Sequence, residues 1–224
     1  MKGLRRTAVG VVAGALLCVP ATVPLAAQEA TPPGQASAAD VPTNVVLAAS
    51  ALSASDLPAD FAFVGETFLT AAEVGGEQLD PAALTDAGFE TQYVSVYEDR
   101  GQNLRIRSYL SAWADEAAAE GGFAILEDEA TLAPDAALAD AEASVGEAPA
   151  ELTTGTYTAA DGTTIATADV TFRRGNLVAG VALERLDGSE VDPAVATQLG
   201  ERLDARIRAV QAGEALAGID LTLP

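Results

Sequence analysis

Residues 168–185 read ADVTFRRGNLVAGVALER, and this stretch decides the predicted fold. Apolar residues alternate with other residues on either side of a charged turn, which indicates two β-strands with one buried face each. The alternating residues are Ala168, Val170 and Phe172 before the turn and Leu177, Ala179, Val181 and Leu183 after it. Within the turn, Gly175 and Asn176 tolerate a positive φ angle. The stretch therefore predicts an antiparallel hairpin.

An amphipathic helix is predicted directly after this hairpin. Asp192 is a suitable N-cap, and Pro193 suits the first helical position. An apolar stripe then recurs at helical spacing, at Val195, Leu199, Leu203, Ile207 and Val210. A stripe of this kind is typical of a helix that packs on a sheet.

A second hairpin is predicted earlier in the chain, with its turn at residues 99–103 and alternating residues on both sides. A helix is predicted to follow it, from Ser111 to about Leu126. Residues 130–150, rich in Ala, Asp and Glu, predict a short helix or a connector. Both halves of the chain show a hairpin followed by a helix, which is consistent with two structurally related halves. We expect a single α+β domain with an antiparallel sheet of about five to seven strands and helices packed on one side.

The N-terminus has the order of a secretory signal peptide. Residues 1–6 are basic, residues 7–19 are apolar, and residues 20–27 are small residues and prolines. We expect cleavage after Ala27, with cleavage after Ala21 as the alternative. An uncleaved anchor would be long enough to span a bilayer, but the two prolines oppose one continuous helix.

The rest of the chain is divided into a linker and one domain. Residues 28–44 are small, polar and proline-containing, which predicts a flexible linker, and residues 45–224 form the predicted single domain. We expect the protein to be secreted, or to reside outside the cell or in the cell envelope. Contact with the membrane is expected only through the signal segment, if it stays uncleaved.

Charge and composition exclude several functions. All 33 acidic residues follow residue 27, whereas three of the 12 basic residues precede it, so the mature net charge is −24. Such a charge repels nucleic acid and anionic lipid, and we exclude nucleic-acid binding. The chain has no histidine, and Cys18 and Lys2 are its only cysteine and lysine. Without these groups in the mature chain we expect no catalytic residue, no cofactor and no metal site. Calcium, which takes oxygen ligands, is the alternative at residues 99–103 and 187–192, where turns built on Asp and Gly are the favoured interpretation.

Three residues on one predicted strand are candidates for contact with a ligand or partner. Arg105, Arg107 and Tyr109 share the polar face of that strand. The two arginines have the charge to receive an anionic ligand. In so acidic a chain, however, we expect them to bond to the protein's own carboxylates.

Three further candidates lie outside that strand. Trp113 falls beside the apolar face of its predicted helix, so packing in the core is favoured over a role as a ligand platform. Arg173 and Arg174 form the only basic doublet of the mature chain. A solvated turn is the simplest interpretation of this doublet, and a point of contact with a ligand or partner is the alternative.

Residues 168–210 also show a family resemblance. Residues 170–181 form a strand, an Arg-Gly-Asn turn and a second strand, and a helix with Ala194, Ala196 and Leu199 leads to Arg206-Ile207. This pattern is similar to the extracellular sensor domains of actinobacterial serine/threonine kinases and related secreted lipoproteins. The resemblance implies a central antiparallel sheet with flanking helices and a groove that binds a ligand. Disulfides often tie those domains, and this mature chain has no cysteine to form one.

Together these observations favour a bacterial, exported and non-enzymatic binding or sensor-like module. Its expected partner is an unknown small ligand or an envelope protein. The alternative is a structural or interaction protein of the envelope without a ligand pocket. A carboxylate-dependent hydrolase is the third hypothesis, because carboxylates are the one catalytic group that the mature chain has in abundance.

Overall fold

The computed structural model of the protein describes residues 43–75, 80–129, 139–143, 145–147, 150–159 and 161–214. The predicted signal peptide and most of the predicted linker lie outside these residues. The first described helix begins at Thr43, so the last two residues of the predicted linker are helical. No helix in the described part of the chain combines the length and the apolar character needed to cross a membrane.

Within the described residues, seven strands form one antiparallel sheet in the order β1-β2-β3-β7-β6-β5-β4. This arrangement confirms the predicted α+β class and the single antiparallel sheet. The elements are, in chain order, α1 (Thr43–Ser50), a 3-10 turn (Ala54–Asp56), β1 (Ala62–Leu69), α2 (Ala71–Gly75), α3 (Pro81–Asp86), β2 (Phe89–Asp99), β3 (Leu104–Trp113), α4 (Glu116–Glu129), β4 (Ala139–Ala143), β5 (Ala150–Thr158), β6 (Thr164–Arg174), β7 (Leu177–Arg185) and α5 (Pro193–Gln211).

The first face of the sheet, defined as the face that bears Phe172 and Val181, carries the main hydrophobic core. Apolar side chains of β2, β3, β6 and β7 pack there against α1 and α5. Helix α5 begins as the sequence predicts, because the Asp192 carboxylate accepts a hydrogen bond from the backbone N–H of Ala194 at 2.9 Å. The predicted hairpin and helix thus supply most of this face.

The second face, defined as the face that bears Tyr109 and Glu184, is covered differently. We expected the helices to lie on one side of the sheet. Helices α1 and α5 lie on the first face, but α4 packs on the second face. Trp113 and Val178 contact α4 and α3 in a separate, smaller core. Phe89 joins them because the pairing of β2 with β3 shifts register between Phe89 and Thr91, which moves Phe89 to the second face.

The two hairpin–helix units therefore share an order of elements but place their helices on opposite faces. The first unit also differs from the predicted boundaries, because Ser111 pairs with both Gln92 and Val178 and remains in β3. Helix α4 begins at Glu116 instead, where the Asp115 carboxylate accepts from the backbone N–H of Ala118 at 2.8 Å. Pairing with strands on both sides outweighs the capping preference of Ser111.

Candidate functional site

A connected group of polar side chains occupies the centre of the second face, and we name it the second-face cluster. Its members come from the four adjacent strands β3, β7, β6 and β5, and strand alternation points them to the same side. They are Arg105, Arg107, Tyr109, Tyr157, Asp169, Thr171 and Glu184. Such a group of charges in the middle of a sheet needs mutual bonds to remain there.

The carboxylate of Glu184 is the centre of one half of the cluster. Only 1 % of its side chain is exposed, and three donors satisfy it. Arg107 Nη2 lies 2.9 Å from Oε1, Tyr157 donates to Oε1 at 3.1 Å, and Arg105 Nη1 lies 3.4 Å from Oε2. Arg105 also bonds to Glu98 on β2, at 3.1 Å. These bonds offset the cost of burying the Glu184 side chain and hold it in a fixed position.

The other half of the cluster is centred on Asp169. The Tyr109 hydroxyl lies 2.9 Å from Asp169 Oδ1 and 2.6 Å from the hydroxyl of Thr171. Tyr109 belongs to β3 and Asp169 to β6, so the tyrosine ring must cross β7, which lies between them. It does so over Gly180, where a Cβ atom would overlap the ring and its hydroxyl.

The environment of the cluster shifts several pKa values. Burial acts to lower the pKa of Arg107, but the charges of Glu184 and Asp169 raise it and the net shift is upward. Burial raises the pKa of Asp169, although Arg107 opposes this shift. Burial also raises the pKa of Tyr157 to about 12 and that of Tyr109 well above its ordinary value. Both tyrosines therefore remain hydrogen-bond donors at physiological pH.

The burial of each side chain in the cluster decides what it can contact. A general acid or base must reach the substrate, and Glu184 is buried beneath its own partners. The side chains of Arg105 and Arg107 are only partly buried, and each is oriented by a carboxylate. The cluster can therefore present oriented guanidinium groups to a polar ligand without first ordering them.

Three of the sequence-predicted candidates meet in this cluster. Arg105, Arg107 and Tyr109 lie together on one face, and the arginines bond to the protein's own carboxylates, as we expected. Trp113 lies on the same face but is fully buried, and its ring packs against Gly122 of α4. It is therefore a core residue, which agrees with the favoured interpretation.

The basic doublet divides between the two faces of the sheet. Arg174 bonds to Asp204 on α5, with Nε at 2.8 Å from Oδ1 and Nη2 at 2.9 Å from Oδ2, and also to Glu147 at 3.2 Å. Among the described residues, Arg173 donates to the backbone oxygen of Gly175 at 3.5 Å and forms no ion pair with a carboxylate. Arg174 is thus engaged within the fold by stronger bonds than Arg173.

Sequence reasoning missed Tyr157, Asp169, Thr171 and Glu184. A weak signal existed for two of them, because Asp169 and Glu184 are carboxylates on the polar side of the β6–β7 hairpin. The pairing of β3 with β7, which sets Arg105 opposite Glu184, is a contact between distant segments. Local patterns do not contain that register.

Two depressions in the described part of the chain are open and shallow, with volumes of about 500 Å³ beside β1 and about 610 Å³ between α2, α3 and β2. Neither includes a member of the second-face cluster. In the same part of the chain, no group of three or more acidic residues is arranged to hold a metal ion.

The chain was compared with protein families, curated proteins and solved structures. No family model and no curated protein matches the chain. Among solved structures, the chain is similar to the extracellular domain of PknH from Mycobacterium tuberculosis, with a TM-score of 0.48 and 12 % sequence identity. The match covers 72 % of this chain and 94 % of that domain. This weak match is to a domain of the kind that residues 168–210 resemble.

Proposed function

We propose that this protein is an exported, non-enzymatic binding module of sensor-like type, which acts outside the cell or in the cell envelope. The second-face cluster carries the proposal, because partly exposed arginines and tyrosines are held there in fixed positions by the protein's own carboxylates. Polar groups that are oriented before binding lose little entropy when a ligand arrives. The expected ligand is a small polar molecule or a surface of an envelope protein.

The sequence supports this proposal against an enzymatic role. A mature chain without histidine, cysteine or lysine lacks most nucleophiles and the usual general base at neutral pH. The one fully buried carboxylate of the cluster, Glu184, is covered by its own hydrogen-bond partners. The N-terminal signal sequence supports export, and the PknH match concerns an extracellular domain.

A ligand screen by thermal shift tests the proposal. Small organic acids, amino acids, sugars and calcium would be added to the purified protein, because a ligand that binds only the native state must raise the melting temperature. Amide chemical shifts should then move in β3, β5 and β7. Tyr157→Phe removes one hydroxyl of the cluster and should weaken binding, whereas Arg100→Gln, at the exposed tip of the β2–β3 hairpin, should not.

Two results would contradict the binding module. One is a ligand whose chemical shift changes lie away from these strands. The other is catalytic turnover that a single Asp or Glu substitution abolishes.

A structural protein of the envelope without a ligand pocket is the second candidate, and the shallow, open form of both depressions favours it. For that candidate, no small molecule should raise the melting temperature.

A further inference from the structure

Strand β1 is an edge of the sheet with an unusual surface. Four large apolar side chains are exposed in the described residues, and three of them belong to this eight-residue strand: Phe63 at 52 %, Val64 at 50 % and Phe68 at 39 % exposure. Its outer side pairs with no strand in that part of the chain. Natural edge strands are normally shortened, charged or covered, so a long edge with exposed aromatic residues indicates a contact surface.

The aromatic side chains of β1 are held in place by the core beneath them. The ring of Phe63 lies edge-on to Tyr97 with centroids 5.4 Å apart, and Phe68 lies against Tyr93 at 4.9 Å. Both tyrosines are buried in the main core. The two phenylalanines therefore extend the aromatic surface of the first face to the open edge, where an added strand would find fixed partners for its side chains.

The backbone of β1 allows strand addition along most of its length. Residues Gly65–Leu69 pair one-for-one with β2, and a bulge at Val64 interrupts the pairing only before them. Added strands bind through backbone hydrogen bonds, and side-chain contacts then give specificity. A second copy of this chain would bring its own bulge to the contact, whereas a partner segment without a bulge could follow the regular residues.

Charge also distinguishes between the two candidate occupants of this edge, a second copy of the chain and a segment of a partner protein. The open depression beside the start of β1 is lined by Asp60, Glu98 and Asp99, with Arg100 as its one basic side chain. The whole chain has a net charge of −21. A second copy would meet like charge here, whereas a segment with flanking arginine or lysine would be attracted.

We propose that β1 is a docking edge, at which an extended apolar segment with basic flanks, supplied by a partner protein, adds to the sheet as an eighth strand. The bonds would be the backbone pairs along Gly65–Leu69, apolar contact with Phe63 and Phe68, and ionic contact with Asp60. This role goes beyond the proposed ligand binding, because it uses a sheet edge and not the second-face cluster.

Labelled synthetic peptides test the docking edge by fluorescence anisotropy with the purified protein. The first peptide has the eight-residue length of β1, alternates valine and threonine, and carries arginine at each end. The second replaces the arginines by glutamates. The third keeps the arginines but has alternate backbone amides N-methylated, which blocks strand pairing. We expect the first peptide to bind, and the other two to bind at least about tenfold more weakly.

Protein variants locate the contact. Phe63→Thr with Phe68→Thr keeps residues that favour strands and should weaken binding of the first peptide about tenfold. Val195→Thr, at the exposed apolar residue on α5, is the matched control and should leave binding unchanged. Circular dichroism checks that the variants fold. If the double variant does not fold, the three peptides on the unaltered protein still decide.

Several outcomes would overturn the proposal. These are no binding of the arginine peptide, equal binding of the arginine and glutamate peptides, and undiminished binding of the N-methylated peptide. Retained binding by a folded Phe63→Thr, Phe68→Thr variant would do the same. A dimer in sedimentation that this variant abolishes would assign the edge to a second copy instead. None of these results depends on the second-face cluster, so either proposal can fail alone.

Discussion

Tyr109 lies across Gly180, and the missing side chain of this glycine lets the tyrosine of β3 reach Asp169 on β6. A Cβ atom at residue 180 would overlap the Tyr109 hydroxyl and would lie 2.7 Å from the backbone oxygen of Val170. The backbone oxygen cannot turn away as a surface side chain could. One backbone position without a Cβ atom thus lets side chains of β3 and β6 bond to each other across β7.

Gly180→Ala should therefore destabilise the protein by about 3 kcal/mol, because added atoms in a packed site force neighbours to shift. Urea denaturation would measure the free energy of unfolding. Tyr109→Phe is the control: it leaves the ring in place and removes only the hydroxyl, and it should destabilise by about 1–2 kcal/mol. A Gly180→Ala variant that is as stable as the unaltered protein would show that Tyr109 does not lie over residue 180.

Two adjacent glycines of α4 make a second matched test. A Cβ atom at Gly122 would overlap the buried ring of Trp113, whereas nothing lies within 4 Å of one at Gly121. Gly122→Ala should destabilise by about 2 kcal/mol, since the indole has no room to move. Gly121→Ala should be neutral or stabilise by up to about 1 kcal/mol, because alanine favours helix. Equal effects in urea denaturation would contradict the contact between α4 and Trp113.

The basic doublet offers a comparison of neighbouring arginines. Arg174→Ala removes the two bonds to Asp204, whose side chain is buried between β6 and α5, and should destabilise by about 2 kcal/mol. Arg208 remains within 3.2 Å of Asp204 and limits the loss. Arg173→Ala should change stability by less than about 0.5 kcal/mol. Chemical denaturation of both variants would check this, and a larger loss for Arg173→Ala would refute the assignment.

The parts of the fold that depend on local pattern could be predicted from sequence. The hairpin around Gly175 and the helix capped by Asp192 both follow from alternation, stripe and cap within a few residues, and both are confirmed. The end of β3 could not be predicted in this way. Ser111 has the properties of a helix cap, and only its pairing with two neighbouring strands keeps it extended.

The candidate site shows the same division between local and distant information. Arg105, Arg107 and Tyr109 could be placed on one face because they alternate within one strand. Their partners come from segments about 50 to 80 residues later, and the sheet order β3-β7-β6-β5 brings them together. Residues 139–143, expected in a short helix or connector, form an edge strand. Pairing with β5 makes this segment a strand, and the local sequence does not show that pairing.

The pKa values of the four tyrosines are raised, which predicts that these residues titrate at unusually high pH. Burial is the main cause that raises the pKa of each one, and nearby carboxylates add to it. A tyrosine with a raised pKa keeps its proton in the folded state. Its contribution to the free energy of unfolding is therefore fully present below pH 10.0, the ordinary pKa of tyrosine. That effect is lost as the pH rises through the folded value, about 12 for Tyr157. Tyrosinate absorbance should therefore stay low in the native protein at pH values where it is half developed in guanidinium. Native tyrosines that ionise near their ordinary pKa would contradict this burial.

The raised pKa of Asp169 predicts that stability depends on pH in the acidic range as well. Burial raises its pKa above the ordinary value of 3.8, against the charge of Arg107 and the hydroxyls of Tyr109 and Thr171, while Glu184 adds to the rise. Between 3.8 and the raised value, the folded state holds a proton that the unfolded state has released. The free energy of unfolding contributed by this group therefore falls as the pH rises through that window.

Asp169→Asn removes this titration and keeps an oxygen that can accept from the Tyr109 hydroxyl. Measured by urea denaturation at increasing pH, the stability of Asp169→Asn relative to the unaltered protein should rise through the window above pH 3.8 and then level off. Asp161→Asn is the control, since Asp161 is exposed and its backbone bond to Thr163 lowers its pKa, which reverses the sign. Parallel stability curves for Asp169→Asn and the unaltered protein would mean that Asp169 ionises in the fold as it does in water. The carboxylate would then be solvated, and the bond from Tyr109 across Gly180 would no longer link β3 to β6.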